Sequence, residues 1–142
     1  MKGIYIATTD EQVLATYEVM AHLREHIARN EYLGLVRSQK ADGGFELAYL
    51  LNEQERITCV AGFRFCRSLG WGKYLYVDDL VTAPEDRSAG YGASMLDWLT
   101  AYARDHGCAS VRLDSALERR RAHQFYMRRG MDIHCFHFRK NL

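Results

Sequence analysis

The stretch over residues 73–107 constrains the fold more than any other. It reads as a strand rich in Tyr, Val and Asp, then the run Arg87-Ser88-Ala89-Gly90-Tyr91-Gly92, then an amphipathic helix with Met95, Leu96, Leu99, Tyr102 and Ala103 on one side. Two glycines one residue apart leave the backbone open where a helix begins, and the first amides of that helix have no partner inside it. The helix dipole adds partial positive charge at the same place, so the site suits a phosphate.

The flanking sequence supplies the remaining elements. Residues 3–7 predict a short strand. Thr9 and Gln12 match a capping box that opens a helix with Val13, Tyr17, Met20 and Ala21 on one face. A second helix is expected over 31–38, ended by Asp42-Gly43-Gly44. Residues 45–51 and 57–66 read as a hairpin joined by a polar loop, and 73–83 as a fourth strand closed by Pro84. After the glycine-loop helix, stopped at Gly107, residues 109–114 predict a fifth strand. Ser115 and Glu118 then repeat the capping-box pattern, which predicts a last helix running to Arg129 and stopping at Gly130. A final strand is expected over 131–139, its alternation changing phase near Cys135 as a bulge would make it. The order β-α-α-β-β-β-α-β-α-β implies a mixed α/β (α+β) sheet with helices on both faces.

Composition narrows the function classes. A chain of 142 residues fits one domain spanning 1–142, and its formal charge of +1 shows no nucleic-acid bias. No apolar run approaches the length that spans a bilayer and no signal peptide is apparent, so a soluble cytoplasmic domain without membrane or nucleic-acid partners is expected. The four cysteines lack metal-ligand spacing and read as reduced thiols. His123, His134 and His137 complete no ligand set, so no metal is expected.

The glycine loop is neither of the common nucleotide loops. A dinucleotide fingerprint requires a third glycine where Met95 stands, and a triphosphate P-loop requires Gly-Lys-Ser/Thr. The combination of Asp79-Leu80-Val81, Pro84, the Arg-x-x-Gly-x-Gly loop, Ala122-His123-Gln124-Phe125-Tyr126 and Gly130-Met131 instead resembles the GNAT superfamily of acyl-CoA-dependent N-acyltransferases. That resemblance implies acetyl-CoA as co-substrate, with its pyrophosphate on the backbone of Arg87, Ser88, Ala89, Gly90, Tyr91, Gly92 and Ala93. It implies a mostly antiparallel sheet splayed between the fourth and fifth strands, with the pantetheine arm pairing with backbone at Leu80 and Val81. An amide there would polarise the thioester carbonyl. Tyr126 matches the tyrosine beside the coenzyme sulfur. Arg119 stands where many members carry Asn, so a coenzyme contact from that position does not carry over.

Transfer of an acetyl group to an amine needs a deprotonated nitrogen and a protonated leaving thiolate. Alkyl amines have pKa values near 10, so a base is required at neutral pH. Asp78 and Asp79 are the candidates, and some relatives carry a carboxylate proposed as base where Asp78 stands. Adjacent residues of a regular strand face opposite ways, but a bulge would bring both to one side. A phenol stays protonated at pH 7 and can donate to sulfur, which fits Tyr126. The structural alternatives are a core role for Tyr126 and a loop-capping role for Asp79. Asp78, Asp79 and Asp114 favour a small cationic amine as acceptor, reached by direct attack in a ternary complex. A protein lysine or N-terminus, or a non-catalytic acyl-CoA-binding role, is the alternative. The alternating last strand also offers an edge for a homodimer.

Overall fold

The computed structural model describes residues 1–142. Residues Met1–Arg112 form one compact unit and Leu113–Leu142 a second.

The first unit starts with β1 (Gly3–Ile6), α1 (Asp10–Ala15) and α2 (Tyr17–Met20). The Thr9–Gln12 capping box forms as predicted: Thr9 Oγ1 accepts from Gln12 N, and Gln12 Oε1 accepts from Thr9 N. The single helix expected after it is broken at Thr16. The buried Thr16 hydroxyl lies 2.7 Å from the carbonyl of Val13, to which it donates, and 2.7 Å from Tyr32 Oη. Such a bond to an earlier carbonyl competes with the helical ladder. Helix α3 (Arg29–Gly43) extends past its predicted end at 38 because only Gly44, at φ 68°, takes the left-handed conformation. Gly44 N donates to Lys40 O, the bond of an αL cap, and Phe45 N donates to Gln39 O beyond it.

Strands β2 (Glu46–Leu51), β3 (Ile57–Ser68) and β4 (Gly72–Thr82) continue the sheet antiparallel from β1. Helix α4 (Tyr91–Asp105) then crosses to β5 (Ser110–Leu113), giving the order β1-β2-β3-β4-β5 with β4 and β5 parallel. A helical crossover returning to a neighbouring strand produces that parallel pair. One face of the sheet packs Leu47, Val60 and Val81 against Val19, Met20 and Val36 of α2 and α3. The opposite face holds Phe63 and Phe65 against Trp98 and Tyr102 of α4. Met95, Leu96, Leu99 and Ala103 are the buried side of α4, as the spacing predicts.

In the second unit, α5 covers Arg120–Arg128. The Ser115–Glu118 capping box does not form: no side chain caps α5, and the buried Ser115 hydroxyl has no hydrogen-bond partner. Turns closed by Arg119 N to Ala116 O and Arg120 N to Glu118 O occupy that stretch instead, and His123 Nε2 lies 2.8 Å from Ala116 O. The strand expected over 131–139 is also absent. Ile133, Phe136 and Phe138 are exposed, and no ladder forms there. Alternation marks a residue pattern suited to a strand, but a strand exists only where a second edge accepts its backbone.

Candidate active site

The site begins at an irregularity in β4. Gly62 pairs with Asp79 and Phe63 with Val77, so Asp78 is the extra residue of a bulge. The bulge does what the sequence required of it: Asp78 and Asp79 both line one cavity, of about 380 Å³, together with side chains from α2, α3 and the segment between them. Asp79 lies across the strand from Gly62. A Cβ added at Gly62 would come within 3.0 Å of the Asp79 carboxylate and the Phe45 ring, so the strand can hold only glycine there without displacing both.

Each carboxylate has its own guanidinium. Arg24 Nε donates to Asp79 Oδ1 at 2.7 Å and its Nη2 to the Asp78 carbonyl at 2.9 Å. Arg64 Nε donates to Asp78 Oδ2 at 2.9 Å. Burial raises the proton affinity of Asp79 above the ordinary carboxylate range, against the opposing pull of Arg24. Behind them, burial pushes Tyr32 up to about 12. Tyr17 Oη donates to Ile27 O at 2.8 Å, which ties down the segment that carries Arg24. Arg24, Arg64 and Gly62 were not singled out by sequence reasoning. An isolated glycine inside an apolar strand was the available signal, since it marks a bulge or a close approach.

The second part of the site is the glycine loop. Pro84–Asp86 forms a 3₁₀ turn that Arg56 anchors through both oxygens of Asp86 at 2.7 Å. Arg87, Ser88, Ala89 and Gly90 follow, all exposed, with Ser88 at φ 65° and Gly90 at φ 86°. No side chain caps α4, so the amides of Tyr91, Gly92 and Ala93 point out of the helix unclaimed by a cap. A Cβ at Gly90 would meet nothing within 4 Å, so the approach to these amides is open. An uncapped helix of 15 residues with a glycine at its mouth fits a pyrophosphate.

Between loop and cavity runs the free edge of β4. Ala109 N donates to Lys73 O at 2.8 Å where β4 and β5 begin, and β5 has four residues against eleven in β4. Strand β5 therefore ends before Leu80 and Val81, and their side of β4 away from β3 has no strand beside it. That is the splay the resemblance implies.

The other predicted residues belong to other elements of the chain. Tyr126 is on α5 of the second unit, half-buried, its ring centroid 5.4 Å from that of Phe125, and burial raises its pKa. Asp114 is 3.4 Å from His137, also in the second unit. Trp71 is not a cavity residue: the Arg112 guanidinium sits 3.8 Å from its ring centroid. The cysteines are all free thiols, with Cys59 buried and Cys66 half-buried on β3. No helix is long and apolar enough to cross a membrane.

The sequence profile of the acetyltransferase (GNAT) family matches residues 10–131. An uncharacterized N-acetyltransferase of Bacillus subtilis strain 168, YhdJ, is 33% identical over 134 residues, which is 94% of each chain. The aminoalkylphosphonate N-acetyltransferase of Salmonella typhimurium is 35% identical over 66 residues, 46% of this chain and 43% of that enzyme. Among solved structures, an acetyltransferase of Trypanosoma brucei superposes with a TM-score of 0.77 at 21% identity, covering 99% of this chain and 100% of that one. The chain therefore belongs to the GNAT family and is an N-acetyltransferase, of a family that draws its acetyl group from acetyl-CoA.

Proposed function

We propose that the protein acetylates a primary amine of a small molecule by direct attack in a ternary complex. The observation that carries this reading is the cavity at the β4 bulge. At about 380 Å³ it matches the size of small-ligand sites, and two carboxylates line it. The family match runs through both compact units, which supports treating residues 1–142 as one catalytic domain.

Acetyl-CoA supplies the activated acetyl group. The amides at the start of α4, with Arg87 beside them, bind its pyrophosphate. The backbone of Leu80 and Val81 holds the pantetheine arm along the free edge of β4, and an amide there stabilises the oxygen of the carbonyl under attack. Asp79, whose affinity for a proton burial raises, takes the proton from the acceptor amine, and Asp78 orients that amine. Tyr126 returns a proton to the leaving sulfur. An ordinary phenol is already protonated at neutral pH, and burial moves the Tyr126 pKa further up. The carboxylates alone favoured a cationic acceptor, but their pairing with Arg24 and Arg64 removes the surplus negative charge on which that preference rested.

Thiol release from acetyl-CoA on addition of small amines tests the reading. Tyr126→Phe should lower turnover about a hundredfold, the low end of a general-acid contribution, with little change in coenzyme affinity. Full turnover in that variant would remove Tyr126 from the chemistry. We also propose that the exposed apolar side chains of residues 131–139 pair between two copies of the chain. Sedimentation showing only monomer at micromolar concentration would overturn that assembly.

A further inference from the structure

The cavity wall between α2 and α3 carries a guanidinium that is fixed but not used up. Arg24 commits two N–H groups to β4, one to Asp79 Oδ1 and one to the Asp78 carbonyl. Arginine has five such donors, and the others have no protein partner. Its side chain is 38% exposed and lines the cavity, as does His26 from the same segment. Because β4 already holds the plane of the guanidinium, a second anion can bind its outer donors without first ordering the side chain.

The charge pattern points the same way. Asp79 pairs with Arg24 and Asp78 with Arg64, so the four charges cancel in pairs. A polycation entering this cavity would meet no unneutralised carboxylate. A molecule that brings one amine and one acid can instead extend both pairs into an alternating network. Its carbon chain would lie along Met20, Ile27 and Val36.

Resting on the reading that a small amine is acetylated in this cavity, we infer that the acceptor carries an acidic group, a carboxylate or phosphonate, alongside its amine. The outer donors of Arg24 hold the acid while the amine faces the bulge of β4. Arg24 is thus the specificity-determining residue of the acceptor site.

The test pairs short amino carboxylic and aminophosphonic acids with alkylamines of matching length that lack the acid. Two readouts are taken on the full chain: kcat/KM for thiol release, and binding by calorimetry with coenzyme A present. At least tenfold better kcat/KM and tighter binding for the acid-bearing member of a pair are expected. Arg24→Ala should remove most of that tenfold preference for the acids, over and above any loss that acids and plain amines share through Asp79. Arg24→Lys, which keeps the charge against Asp79 but loses the planar fork, should fall between the two. Equal turnover of both members overturns the inference and leaves the acetyltransfer reading intact. So does an Arg24→Ala loss that is the same for every amine, because the residue would then serve only Asp79. Tighter binding of the acids without any turnover would support the inference and overturn the catalytic reading of this cavity. Equal binding without turnover would overturn both. An unchanged coenzyme affinity verifies that the variants are folded.

Discussion

The glycine loop and the cavity at the bulge adjoin the same strand, β4, yet they are built from opposite materials. The loop is backbone: a few consecutive residues, an uncapped helix of 15 residues and a glycine at φ 86°. The cavity is side chain, and its central contact joins Arg24 to Asp79 across 55 positions of sequence. A backbone site tolerates changes of side chain as long as the conformation and the open approach survive. A side-chain site fails by exchange of a single partner. The proposed donor and acceptor sites should therefore respond to mutation independently, and that independence can be broken experimentally.

The largest separation should come from Gly90→Asp. It places a side chain and a negative charge in the open approach to the α4 amides, where nothing now lies within 4 Å. Coenzyme affinity should fall by at least about a hundredfold, or roughly 2.7 kcal/mol. Gly90→Ala is the control: it strains the left-handed conformation by about 1–2 kcal/mol of stability but adds no charge. Calorimetry showing equal coenzyme affinity in Gly90→Asp and the parent would remove the loop from the donor site.

Gly62→Ala attacks the other half. The added methyl group meets the Asp79 carboxylate and the Phe45 ring, so stability should drop by about 1–3 kcal/mol, as overpacking does. Turnover should fall with it, whereas coenzyme affinity should stay near that of the parent. A loss of coenzyme affinity as large as the loss of turnover would mean that loop and cavity are not separable.

The same contrast decides what could be read from sequence. The loop was legible because its signal is local: spacing, glycine and the helix that follows lie within one window. The Thr9–Gln12 capping box was legible for the same reason, and the bulge was anticipated from two adjacent aspartates that needed one cleft. Arg24, Arg64 and His26 were not, since only the packing of β3 and of the segment between α2 and α3 against β4 brings them to the cavity. The failures at 115–118 and 131–139 have the converse cause. Both patterns are locally correct, but a cap must find a free helix end and a strand must find an edge, and neither condition is written in the pattern itself.

Alkaline titration gives the smallest and most specific contrast, because the cavity wall titrates and the amides of the loop do not. Burial, with the negative charge of Asp79 behind it, raises Tyr32 from 10.0 to about 12. Between those values the unfolded phenol loses its proton while the folded one keeps it, so the native state binds more protons and stability falls as pH rises. The contribution is complete below about pH 10 and gone above about pH 12, with a slope of up to about 1.4 kcal/mol per pH unit. Tyr32→Phe removes this slope. It also removes the 2.7 Å contact with Thr16, at a cost of about 1 kcal/mol near neutrality, while Thr16 keeps its bond to the Val13 carbonyl. Denaturant unfolding of parent and variant across this range isolates Tyr32 from the other tyrosines by difference. Parallel curves for the two proteins would mean that this wall of the cavity is as wet as the loop, and the contrast between a buried side-chain site and an open backbone site would fail at its base.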